Sequence, residues 1–143
     1  MVITAIILVM MANASTENGD GSDIEPTMHM THFPPISTVT IRNNGARSSA
    51  SGKPADQCAD FQLSAQEIGE YISKAAEVAE HDYFHMLDWS PCYASGSVVF
   101  KNGVTGTWAI QQYRAGSLTL STGRTFYLYC PRCYAKAFPP ADE

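Results

Sequence analysis

The chain has 143 residues, a formal net charge of −5 and four cysteines. That length limits it to about one domain. The acidic balance argues against a nucleic-acid binder, whose surface would carry a basic excess.

The first element is an apolar run from Val2 to Met11, followed by Ala12-Asn13-Ala14. The small residues on either side of Asn13 suit the narrow pocket of a signal peptidase, and the run is too short to span a bilayer. Residues 1–14 therefore read as a signal peptide, although no Lys or Arg precedes the apolar run. The expectation is an exported protein, periplasmic or secreted, mature from Ser15 and with no transmembrane segment in the mature chain. In that oxidising setting an even number of cysteines persists as disulfides, so Cys58, Cys92, Cys130 and Cys133 are all expected to be paired.

Residues 15–57 read as a disordered tether. The stretch is dense in Ser, Thr, Asn, Gly and Pro, as in "NGDGSD" and "RNNGARSSASGKP", and buries too little apolar surface to offset its ordering entropy. Only "STVTI", Ser37 to Ile41, has strand character and could form an edge strand. "MHMTH", Met28 to His32, clusters thioethers and imidazoles. Such soft donors suit copper, but a biased tract produces the same cluster by composition alone.

The ordered domain is expected at 58–138, with 139–143 as a flexible tail. It opens on a helix. Ser64 followed by Glu67 forms a capping box, and Ile68, Tyr71, Ile72, Ala75, Val78 and Ala79 recur at helical spacing. After Pro91 the period falls from 3.6 to 2. Asn102-Gly103, Ala115-Gly116 and Thr122-Gly123 punctuate four strands. Val98, Phe100, Trp108, Ile110, Leu118, Leu120, Phe126, Leu128 and Cys130 share one parity, and hence one apolar face. The fold class expected is α+β: one amphipathic helix packed on a four-stranded antiparallel meander sheet, stapled by disulfides.

Cysteine pairing follows from the helix length. An unbroken helix from Ala65 to Met86 would be about 33 Å long, so Cys58 and Cys92 at its two ends could meet only if it broke. At least one of them is expected to pair with Cys130 or Cys133. Cys130-Pro131-Arg132-Cys133 follows the last strand and opens no helix, unlike a thioredoxin motif. A zinc ribbon would need a second close cysteine pair, which the chain lacks.

No reaction is legible. There is no Gly-x-Ser-x-Gly elbow and no phosphate-cradling glycine loop, so no catalytic residue is assigned and an enzyme is not the favoured reading. His81 and His85 stand four apart, the spacing of helix-borne zinc ligands, with Asp88 as a candidate third ligand. Two surface histidines at an acidic helix end explain the same pattern, and no cofactor is expected. Charge is segregated: seven acids and one Lys lie between Asp60 and Asp88, whereas Trp89 to Phe138 holds five cations and no acid.

The surface opposite the apolar face is the remaining candidate. Tyr113, Arg114, Arg124, Tyr127 and Tyr129 combine rigid aromatic area with charged donors, residue types enriched at interfaces. The expectation is a small exported domain that binds a protein partner, such as an enzyme, and blocks it as an inhibitor or immunity-type protein. Two other readings remain: a metal-handling protein or small metal-dependent hydrolase using His81 and His85, and a structural component of the cell envelope.

Overall fold

From Cys92 onward the two-residue alternation governs the structure, and the rest of the chain packs around it. The computed structural model describes residues 25–49 and 58–140. In chain order it contains β1 (Met28–Met30), β2 (Ile36–Arg47), α1 (Ala65–Lys74), β3 (Ala76–Val78), α2 (Glu80–His85), β4 (Cys92–Phe100), β5 (Thr105–Gln111), β6 (Ala115–Leu120) and β7 (Thr125–Tyr129). The seven strands form one antiparallel sheet in the order β1-β3-β7-β6-β5-β4-β2. The signal-peptide reading concerns residues outside those described.

The α+β expectation of a four-stranded sheet under one long helix is thus corrected. The described residues are mostly sheet, with seven strands and two helices, of which only α1 has more than two turns. Two causes account for the difference. The long helix ends at Ala75, whose backbone is extended (φ −61°, ψ 142°), and the next three residues pair with β7 as β3. Ala76-Glu77-Val78 satisfies the helical and the two-residue periods equally. The unpaired edge of β7 offered a row of backbone donors and acceptors, and satisfying them outweighed helix propensity. The second cause lies before α1. Two strands come from the stretch read as tether: the strand character expected of Ser37 to Ile41 is realised in edge strand β2, which runs on through polar residues to Arg47, whereas β1 was not expected. Three register irregularities interrupt the pairing along β2.

The edge strands β1 and β2 are joined by residues 31–35 alone. Six interstrand gaps in a flat sheet would span about 29 Å, whereas that linker reaches only about 20 Å. The sheet therefore coils like an open barrel. Phe33, in the linker, marks the closure: its ring lies 5.8 Å from that of Phe100 on β4 and 4.9 Å from that of Phe126 on β7. Val98, Phe100, Trp108, Ile110, Leu118, Leu128 and Cys130 are all buried on the inner side, with Leu120 and Phe126 packed against them. Ile68, Tyr71 and Ile72 of α1 complete this core.

Ser64 and Glu67 form the expected capping box, with Glu67 N–H donating to Ser64 Oγ (3.1 Å) and Ser64 N–H to Glu67 Oε1 (2.9 Å). Glu67 Oε2 also accepts from the Lys136 amide (3.0 Å), fastening the C-terminal segment to the helix start. The hairpin at Asn102-Gly103 forms with Gly103 at φ 86°, and that at Thr122-Gly123 with Gly123 at φ 97°. The third turn differs from expectation. It runs through Gln112 to Arg114, with Arg114 at φ 71°, while Ala115 and Gly116 already belong to β6. Gly116 serves another need. A Cβ there would lie 2.6 Å from the Ala109 carbonyl and 2.9 Å from the Tyr71 hydroxyl, so its bareness lets Tyr71 reach the sheet.

The disulfides are Cys58–Cys92, with a Cα separation of 4.9 Å, and Cys130–Cys133. This overturns the expectation that Cys58 or Cys92 pairs with Cys130 or Cys133. An unbroken helix would be a rod of about 33 Å, but α1 has ten residues, about 15 Å, and β3 turns the chain back. The start of α1 and the start of β4 can then meet. The reciprocal amide pair between Asn44 and Leu63 fastens the same corner to β2.

Candidate interaction surface

The five residues expected on a cationic, tyrosine-bearing face occupy different environments. Arg114 turns toward the C-terminal segment. Its Nε donates to the Cys133 carbonyl (3.1 Å), its Nη2 to the Pro139 carbonyl (2.6 Å), and its guanidinium stacks 5.1 Å from the Phe138 ring centre. Arg124 lies 4.2 Å over the Phe126 ring and 3.6 Å from the Glu77 carboxylate. Tyr113 is exposed in the β5–β6 turn, its amide donating to the Gln111 side chain.

Tyr127 and Tyr129 alternate on the outer face of β7. Tyr127 is roofed by α2, its ring 5.0 Å from Tyr83 and 5.5 Å from Phe84, and its hydroxyl donates to Glu80 at 3.5 Å. Tyr129 is half-buried between Ala76 and Ala115 on the flanking strands. Burial raises its pKa above the ordinary tyrosine value, with the nearby negative charges of Glu25 and Asp88 adding to the shift and Arg114 opposing it. Burial raises that of Tyr83 likewise, with Tyr127 contributing.

What α2 covers below, it replaces above. No residue of this short helix is fully buried. The chain from Phe84 to Trp89 holds three large apolar side chains in water: Phe84 is 61% exposed, Met86 38% and Trp89 60%. The chain on either side of Trp89 is nevertheless held by polar contacts. The Asp88 carbonyl accepts from Gln111 Nε2 (2.7 Å), and Ser90 Oγ donates to Gln112 (2.9 Å) while accepting from the Cys92 amide (3.1 Å). These bonds hold the ridge against the β5–β6 turn, which carries the exposed Tyr113.

Acids border the ridge. Glu80 and Asp82 stand in the first turn of α2 and, with Glu77, His29 and Tyr127, line an open cleft of about 310 Å³ between α2 and the β1–β3–β7 edge. The sequence assigned Phe84 and Met86 to a long amphipathic helix. The density of apolar residues in Tyr83-Phe84-His85-Met86-Leu87-Asp88-Trp89 was the available signal, since no single 3.6-period stripe can bury all of them.

The metal readings find incomplete ligand sets. His81 and His85 do share a face, their rings stacked at 4.4 Å, with Asp82 3.5 Å from His81. Among the described residues, however, no group of three or more His, Cys, Asp or Glu is arranged to hold a metal ion. Asp88 sits in the anchored segment beyond the helix. The four cysteines are all in disulfides. In "MHMTH", β1 places His29 on the opposite side from Met28 and Met30. No helix among the described residues is long and apolar enough to cross a membrane.

Comparison with known proteins finds no matching family model, no matching characterised protein and no matching solved structure. Any functional reading must come from the surface itself.

Proposed function

We propose that the chain is an exported binding protein that captures a protein partner through the ridge formed by Phe84, Met86 and Trp89. The observation that carries this reading is the exposure of three large apolar side chains on a backbone pinned by polar anchors. Such residues preorganise a contact, because little conformational freedom is lost when they insert into a pocket. Aromatic anchors of this kind dominate interface energetics. The partner's chemistry follows from the border: an apolar pocket rimmed by Lys or Arg, complementary to Glu80, Asp82 and Asp88.

Blockade of an enzyme, as an inhibitor or immunity-type protein, is the role that fits a small, doubly disulfide-bonded sheet with a rigid protruding ridge. The disulfides support an oxidising compartment, periplasmic or extracellular. The test uses the immobilised oxidised protein to capture partners from the extract of the native compartment, beside a Met86→Ala/Trp89→Ala variant that leaves the Phe84–Tyr127 contact in place. The wild type should retain a discrete partner, and the variant should lose it at an unchanged thermal midpoint. Equal retention by both would remove the ridge from the account. Each truncation should cost about 2 kcal/mol of binding or more.

A further inference from the structure

A second surface, of different chemistry, lies on the outer side of β4, β5 and β6. Thr40, Ser97, Thr107, Thr119 and Thr125 stand directly opposite one another on successive strands. A rank of hydroxyls thus crosses five strands at the interstrand spacing of about 4.8 Å. Over it lies a shallow depression of about 350 Å³, lined by Ser97, Thr105, Thr107 and Thr119 together with Arg42 and Val99.

Arg42 reaches this face for a local reason. Thr40 pairs beside Ser97, Ile41 packs against the core, and Arg42 follows at the irregularity between Ile41 and Asn43, where β2 slips register against β4. Bulges of this kind re-aim a side chain. Among the described residues, the Arg42 guanidinium has no ion-pair or hydrogen-bond partner, and neither do the hydroxyls of Ser97, Thr105 and Thr107. Thr119 and Thr125 hydrogen-bond to each other at 3.0 Å. Among the described residues, no Asp or Glu lines the depression.

We propose that this depression binds an acidic polysaccharide, with Arg42 holding the anionic group of a sugar and the Ser/Thr rank exchanging hydrogen bonds with sugar hydroxyls. The planar guanidinium fork matches a carboxylate or sulfate. Each Ser or Thr hydroxyl both donates and accepts, as sugar hydroxyls do. Threonine methyls and the partly exposed Val99 supply apolar contact for the C–H faces of a pyranose. The regular spacing suits a chain of repeated units better than a lone anion, which needs converging donors. A single-stranded nucleic acid would want aromatic platforms, and none lines the depression. The site is separate from the α2 ridge and does not depend on it.

The test is an NMR titration of the oxidised protein with an oligogalacturonate, a heparin-derived oligosaccharide, a neutral cello-oligosaccharide and sodium sulfate. An acidic oligosaccharide should shift the amides of Ser97, Thr107 and Thr119. Arg42→Ala should weaken that binding by about tenfold or more, the effect of losing one charge-assisted hydrogen bond. Thr107→Val/Thr119→Val, which keeps shape and strand propensity, should weaken it severalfold. The proposal is overturned if neither acidic oligosaccharide shifts these amides, or if sulfate or the neutral sugar binds as tightly. It is overturned equally if Arg42→Ala leaves affinity unchanged; that variant also decides the matter should the threonine variant unfold.

Discussion

Replacing Tyr71 by Phe separates two contributions of one buried hydroxyl. Tyr71 is 1% exposed, and its hydroxyl donates to the Arg114 carbonyl at 2.8 Å, with the Leu128 carbonyl at 3.4 Å. Arg114 keeps the Cys130 amide as a second donor, so no carbonyl is orphaned and the loss at neutral pH should be about 1 kcal/mol. Burial, followed by the neighbouring Tyr83 and Tyr129, raises the Tyr71 pKa well above the ordinary value. An unfolded tyrosine releases its proton near pH ~10. Above that pH the unfolded chain holds fewer protons than the native one, so wild-type stability falls by up to about 1.4 kcal/mol per pH unit from this group alone. The Phe variant lacks that term. Its deficit of about 1 kcal/mol should therefore close as pH rises and reverse near pH ~11. Urea unfolding followed through tryptophan fluorescence, at intervals from neutral to alkaline pH, measures the difference directly. A deficit that stays constant through the alkaline range would show that the phenol titrates alike in both states, and the burial argument would fail.

The two disulfides should differ in worth. Cys58–Cys92 closes a loop with a sequence separation of 34 and Cys130–Cys133 one of 3. In the chain-entropy picture, replacing each pair by Ala should cost about 4 and about 2 kcal/mol respectively, read by denaturant unfolding; equal losses would contradict it. Gly116→Ala should destabilise by roughly 1–3 kcal/mol, because the new methyl meets the Ala109 carbonyl and the Tyr71 hydroxyl. In the Tyr71→Phe background that penalty should shrink, and a double-mutant cycle by thermal unfolding checks the coupling.

Legibility in the sequence followed the span over which each signal acts. The parity of the four C-terminal strands, the capping box and two hairpin turns were readable because they depend on neighbouring residues. β1 and β3 were not, and of β2 only Ser37 to Ile41 was. β3 exists because β7 had an open side, and β2 runs on to Arg47 because β4 did, and neither fact is written in Ala76-Glu77-Val78 or in Arg42 to Arg47. The site suffered from the same error. With one helix considered as far as Met86, the apolar cluster from Phe84 to Trp89 was not singled out, and the tyrosines of β7 were left as the free surface. The third turn shows the complementary lesson. Ala115-Gly116 looked like punctuation, yet Gly116 is bare to admit a side chain from α1, and Arg114 adopts the left-handed backbone instead.

The placement of the first two strands at opposite edges bears on when the molecule can form. β1 pairs only with β3 and β2 only with β4, joining Met28 to Val78 and Val39 to Val98. β3 in turn docks on β7, the last strand of the chain. A polypeptide emerging amino-terminus first therefore presents two strands with no partner, and β1 must wait until Tyr129 has appeared. Loop-closure entropy is spent before any of these pairings is rewarded. The amino-terminal strands are thus placed to join late, onto a surface supplied by the meander and by β3.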